Sequence, residues 1–142
     1  MRFVLDANVA LTWFLSEGEA QTAYSLLVLE DAIEGNTCVV PGLWHVEVAA
    51  RLIRARRNRN AAFGPARMGD ALRLLGALDL ETHGLALEVT NVADLAMRYH
   101  LSAYDAVYFH LAKSLDLAIA SFDGGIRAAC RAHDMQLLHQ PE

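Results

Sequence analysis

The chain has 142 residues, of which 54% are hydrophobic and 20% charged. That composition, with only nine glycines and three prolines, excludes disordered, collagen-like and low-complexity proteins. A formal charge of −5, from 17 acids against 12 Lys and Arg, excludes coating of nucleic acid by bulk positive charge but leaves room for a local basic strip.

The length suits a single domain over residues 1–142 with a full core. Cys38 and Cys130 each sit in an apolar run, far apart, as reduced buried thiols do, so a reducing compartment is expected. Asp6 interrupts the opening apolar run before a signal-peptide core can form. No stretch reaches the roughly 18 apolar residues of a membrane span. A soluble cytoplasmic protein with no membrane partner is expected.

The first predicted element is a buried strand, Phe3-Val4-Leu5, ending at Asp6. Helices follow from about Asn8 to Leu15 and from Glu19 to Glu34, the second stopped by Gly35-Asn36. Thr37 to Val40 is a second buried strand, closed by Pro41-Gly42. Leu43 to Arg57 is helical, Asn58 to Pro65 a loop by its Asn, Gly and Pro content, and Ala66 to Ala77 helical again. A weak strand at Asp79 to Thr82 precedes helices at Leu85 to Tyr99 and Ser102 to Leu115. The chain closes with a strand at Leu117 to Ser121, a helix at Gly124 to His133 and a short strand at Gln136 to Leu138. Short buried strands alternating with helices imply a parallel sheet covered on both faces.

Four acids fall at junctions of these elements. In such a sheet, strand C-termini and helix N-termini share one rim, where ligands bind. Asp6 ends the first strand, Asp123 follows Ser121 by two residues, and Glu47 and Asp105 lie early in helices. Each also has a purely structural alternative. Ser102-x-x-Asp105 has the spacing of a capping box. Glu47 and Arg51 have i,i+4 spacing, worth about 0.2–0.5 kcal/mol. Asp123 can cap the last helix. Converging carboxylates repel unless a cation joins them, and an all-oxygen set favours Mg²⁺ or Mn²⁺. The six histidines and two cysteines lack zinc-ligand spacing. A carboxylate-held Mg²⁺ points to phosphodiester chemistry. Neither G-x-x-x-x-G-K-[ST], G-x-G-x-x-G nor G-x-S-x-G occurs.

The segments FVLDANV, PGLWHVEVAARL, LSAYDAVYFHLA and IASFD, in that order, resemble a PIN-domain ribonuclease, and the length resembles the VapC-type toxins of toxin–antitoxin pairs. The resemblance implies a three-layer α/β/α sandwich around a parallel sheet of about five strands in the order 3-2-1-4-5. It implies Mg²⁺- or Mn²⁺-dependent endonucleolytic cleavage of structured RNA, a cognate antitoxin and a homodimer. It maps the acidic metal site to Asp6, Glu47, Asp105 and Asp123. The first three would hold the principal ion, and Asp123 would complete the site or help position water. Asn8 and Ser121 take the positions of the small polar residues that support the acids; at the first of these the family often has Ser or Thr.

Arg51, Arg54, Arg56, Arg57 and Arg59 crowd five of the twelve basic residues into nine positions. They are either a solvated helix end or phosphate contacts, with Arg51 and Arg54 near enough to the acids to qualify. Trp13, Phe14 and Trp44 are read as packing residues near the rim, with stacking on a base or antitoxin contact as the alternative. The mean hydropathy of +0.21 agrees with an exposed apolar partner surface, placed between Glu19 and Ala77. Two non-enzymatic alternatives remain. A catalytically silent antitoxin-binding subunit would have lost an acid. A Mg²⁺-binding, receiver-like signalling module would need a well-placed lysine, and Lys113 is expected far from the rim.

Overall fold

The computed structural model describes residues 1–15, 18–58, 62–85 and 87–140. The elements run β1 (Arg2–Leu5), α1 (Ala7–Thr12), α2 (Glu19–Ile33), β2 (Thr37–Pro41), α3 (Gly42–Arg57), α4 (Pro65–Ala77), β3 (Leu80–His83), α5 (Val89–Tyr99), α6 (Ala103–Leu115), β4 (Ile119–Ala120) and α7 (Gly124–Ala132).

The strands form one parallel sheet in the order β3-β2-β1-β4. Phe3, Val4 and Leu5 are fully buried, as are Cys38, Val39 and Val40, because each of these two inner strands is covered on both faces. Helices flank the sheet as a three-layer α/β/α sandwich. α6 packs on β1 and β2 and is flanked by α5 and α7, while α1 lies between α2 and α3. The position of α6 explains its composition: Ala106, Val107, Tyr108, Phe109, Leu111 and Ala112 are all buried, leaving little room for a polar stripe.

Two expectations for the strands are corrected. The sheet has four strands among the described residues, and the segment Gln136 to Leu138 contributes only an isolated parallel bridge, Ile119 to Leu137. Ile119 N–H donates to the Gln136 carbonyl at 3.0 Å, and Leu138 N–H donates to the Ile119 carbonyl at 2.9 Å. The fifth position of the expected order is thus occupied, but by a pairing too short for a strand. The strand expected from Leu117 to Ser121 is confined to Ile119–Ala120. The helix expected from Leu85 begins at Val89. Both cysteines are free and buried, and burial pushes the Cys38 thiol up to about 12. Among the described residues no helix is long and apolar enough to cross a membrane.

Parallel register sets up the rim. Val4 pairs with both Val39 and Ile119, and Leu5 with Ala120, so the chain leaves β1, β2 and β4 on the same edge. Asp6 N–H donates to the Ala120 carbonyl at 3.0 Å, which extends the β1–β4 pairing one residue past the strand and sets Asp6 beside Ser121.

Candidate active site

The floor of the site follows directly from that register. Asp6 is 4% exposed, and Ser121 is fully buried. The Ser121 hydroxyl donates to Asp6 Oδ2 at 2.8 Å and accepts from Asp123 N–H at 3.0 Å. Its own backbone is held from both ends. Ser121 N–H donates to the Tyr24 hydroxyl at 3.1 Å, which in turn donates to the Leu138 carbonyl at 2.7 Å. Arg127 Nε donates to the Ser121 carbonyl at 3.0 Å, and its guanidinium lies 5.1 Å from the centre of the Tyr24 ring. Asp123 caps α7, its Oδ2 accepting from Ile126 N–H at 2.9 Å, so the capping alternative for this acid holds while its backbone joins the floor.

The wall comes from two helices. α3 starts at the end of β2 and buries Trp44, Val48 and Leu52, spaced by four, which leaves Glu47 half-buried beside that face. Tyr108, in the second turn of α6, donates its hydroxyl to Glu47 Oε1 at 2.9 Å. Asp105 is half-buried in the first turn of the same helix. The cap of α6 is the Ser102 hydroxyl, which accepts from Asp105 N–H at 3.1 Å, and a hydrogen bond from Ser102 also acts on the Asp105 carboxyl, lowering it against the burial that raises it.

The four carboxylates are joined electrostatically. Burial raises Asp6 from the ordinary carboxyl value to about 7; the negative charges of Asp105 and Glu47 push the same way, and hydrogen bonds from Ser121 and the Asn8 backbone oppose them. Burial and then Asp105 raise Glu47, against the Tyr108 hydrogen bond. Burial and then Asp123 raise Asp105. Asp6, Glu47 and Asp105 each therefore feel at least one other acid. Among the described residues no three His, Cys, Asp or Glu side chains stand close enough to hold a cation as placed, so binding one would require the carboxylates to draw together.

The remaining predicted residues are more dispersed. Asn8 supports Asp6 through its backbone amide, while its side chain is exposed. Arg51 is half-buried and lines a groove with Glu47. Arg54, Arg56 and Arg57 occupy the last turn of α3, where cations suit the helix C-terminus; Arg59 lies outside the described residues. Trp44 is buried, and Trp13 donates its indole N–H to the Ser25 carbonyl at 2.8 Å, so both are packing residues. Lys113 is exposed in the last turn of α6, at the opposite end from Asp105, which counts against a receiver-like site.

Sequence reasoning missed Tyr24, Arg127 and Tyr108. A phenol in the most apolar helix signals a polar partner for Tyr108. Nothing in the sequence identifies that partner as Glu47, 61 residues away.

Sheet, rim and carboxylates together define a PIN domain, and the chain belongs to the PIN-domain family, which it matches over residues 3–132. Its relatives include VapC ribonuclease Mb0985 of Mycobacterium bovis and ribonuclease VapC9 of Mycobacterium tuberculosis. Each is 31% identical to it over 121 residues, covering 84% of both chains. These place its likeness among VapC-type members. The crystal structure of PAE2754 from Pyrobaculum aerophilum shares the fold, with a TM-score of 0.58 at 16% identity, covering 90% of this chain and 84% of that one.

Proposed function

We propose that residues 1–142 form a single PIN-like nuclease domain, a metal-dependent endoribonuclease that cleaves structured RNA as the toxin of a toxin–antitoxin pair. The observation that carries this reading is the convergence of Asp6, Glu47, Asp105 and Asp123 on one rim, each of the first three raised by burial and by a neighbouring acid. An all-oxygen, partly desolvated set of like charges has the donor chemistry of a Mg²⁺ site, with Mn²⁺ as a substitute. Asp6, Glu47 and Asp105 would hold the ion, with Asp123 completing the set. When bound, such an ion polarises the phosphodiester and lowers the pKa of water.

The protein's own part is positional. Ser121 fixes the Asp6 carboxylate, Tyr108 fixes that of Glu47, and the Ser102 cap fixes the turn that carries Asp105. Arg51 and Arg54 extend the site along α3 as phosphate contacts. The relatives' names support ribonuclease activity, and a cytoplasmic toxin made alongside an antitoxin is part of the same proposed reading. Exposed Leu26, Leu27, Ile33, Ile53 and Leu72 on α2, α3 and α4 offer apolar surface for an antitoxin and for a homodimer.

The test is digestion of structured RNA with and without Mg²⁺, by wild type and by Asp6→Asn, Glu47→Gln and Asp105→Asn. Cleavage should stop with a chelator. Each variant should be slower by roughly two orders of magnitude, the scale for losing one positioned electrostatic group. Full activity under chelation, or in Asp6→Asn, overturns the reading.

A further inference from the structure

Beside the carboxylates lies a groove of about 330 Å³ between α1, α3 and the start of α6. Leu11, Leu43 and Val46 supply apolar wall, Asn8 stands at its edge, and Glu47 is shared with the carboxylate cluster. Tyr104 closes the α6 side, one residue before Asp105. The cavity beside α5 and the apolar cleft between α3 and α4 take no wall from that cluster.

Tyr104 is 63% exposed and Val46 70% exposed. Both differ from the aromatics that build the core, since Phe3, Trp44, Tyr108 and Phe109 are all at most 2% exposed. The contrast within α6 is direct. Tyr108, one turn on, is buried and bonded to Glu47, whereas the Tyr104 ring faces the groove with no hydrogen bond among the described residues. Packing therefore does not explain an aromatic at this position.

An RNA strand whose scissile phosphate meets the carboxylates carries a nucleobase one sugar away. That base has a flat apolar face and a polar edge, and the groove offers an aromatic platform, an aliphatic wall and a carboxamide that can donate and accept. We propose that Tyr104 is the stacking platform for the nucleobase flanking the scissile phosphate, with Val46 and Leu43 against the base and Asn8 at its edge. This rests on the endoribonuclease reading. The occupant is an RNA base rather than a protein side chain because the groove shares Glu47 with the acidic site and so takes what is attached to the phosphate bound there.

The experiment uses a labelled RNA hairpin, chosen from a randomised-loop pool by wild-type cleavage, and copies of it with an abasic residue on either side of the cut. Tyr104→Ala should lower kcat/KM on intact RNA by about 5- to 150-fold, mainly through KM, as loss of one stacked base does. Tyr104→Phe and Tyr104→Trp should stay within about 3-fold of wild type, since both keep the platform. On RNA abasic at the stacked position, wild type and Tyr104→Ala should cleave equally slowly. An equal penalty on intact and abasic RNA, or none on intact RNA, overturns the proposal while the nuclease reading stands. So does a variant that cleaves normally but no longer binds its antitoxin, which would assign the groove to a protein partner. Failure of the wild type to cut any RNA in the pool overturns both.

Discussion

Asp6 and Glu47 are both carboxyl side chains on the same rim, yet they are held in different ways. Asp6 belongs to a floor built from backbone: its own N–H extends the sheet to Ala120, and its carboxylate meets Ser121, which is itself bonded on both its amide and its carbonyl. Glu47 belongs to a wall built from helices. It is half-buried and tied down by one phenol. The floor is a consequence of strand register, so changing it alters stability as well as chemistry. The wall depends on where α3 and α6 dock, so its groups can change with little cost to the fold. Tyr104 and the groove extend the wall, not the floor.

Titrating the floor should produce the largest effect. Asp6 has its carboxyl raised to about 7 by burial and by its acidic neighbours, from an ordinary 3.8. A group whose pKa rises on folding contributes its stability in full below the unfolded value and loses it as pH climbs through the folded value. Without metal, the protein should therefore lose stability between about pH 4 and pH 7 through Asp6, on the order of 4 kcal/mol at most. Glu47 and Asp105 are raised too and act in the same direction. Asp6→Asn should flatten this profile and be the more stable protein at pH 8 in chelator, while Mg²⁺ should stabilise the wild type far more than the variant. Chemical unfolding across pH with chelator and with Mg²⁺ checks it. Parallel profiles for the two proteins would place the Asp6 charge outside the cluster.

The two regions also differ in how far the sequence discloses them. Asp6 was legible because a strand ends where an apolar run ends, as Phe3-Val4-Leu5-Asp6 announces, whereas the supporting role of Ser121 at the end of Ile119-Ala120-Ser121 came only from the family resemblance. Parallel order then brings the ends together. Asp105 and Asp123 were visible as helix starts, although sequence could not decide between cap and site; the structure gives Asp123 a capping bond and leaves the Ser102 hydroxyl to cap α6. The pairing of Glu47 with Tyr108 was not legible, since side-chain contacts between distant helices depend on docking angles that no local pattern encodes. The last strand failed for the opposite reason: Gln136 to Leu138 has a strand's composition, but only Leu137 forms a bridge at the sheet edge. Tyr104 escaped because exposure, not residue type, distinguishes it from Tyr108.

A smaller effect sharpens the floor itself. Ser121→Ala removes a fully buried hydroxyl that donates to Asp6 and accepts from Asp123 N–H, leaving a carboxylate oxygen and an amide without these partners. The loss should be about 2 kcal/mol, within the range for unsatisfied buried polar groups. RNA cleavage should fall with it, because Asp6 then lacks its positioning bond. Ser121→Thr keeps the hydroxyl and should recover cleavage if its methyl is accommodated. An alanine variant as stable as wild type in chelator would mean that the floor is not built around this hydroxyl.

The smallest stability effect belongs to the wall. Tyr108→Phe deletes one oxygen from a ring that is 1% exposed and leaves its packing in place. Glu47 is only half-buried, so water can replace the lost donor, and the cost should be about 1 kcal/mol or less. Chemistry should suffer more than stability. A carboxylate freed from its orienting phenol binds a cation less well, and loss of such an outer partner weakens metal affinity by about 10- to 100-fold. Tyr108→Phe should therefore need about tenfold more Mg²⁺ for half-maximal cleavage, yet reach a similar rate at saturation. Its melt in chelator should nearly match wild type, and the Mg²⁺ concentration that raises the melt should shift upward in parallel with activity. If both metal titrations are unchanged while the melt falls, Tyr108 merely fills the core of α6, and the wall owes its order to packing rather than to the bond between Tyr108 and Glu47.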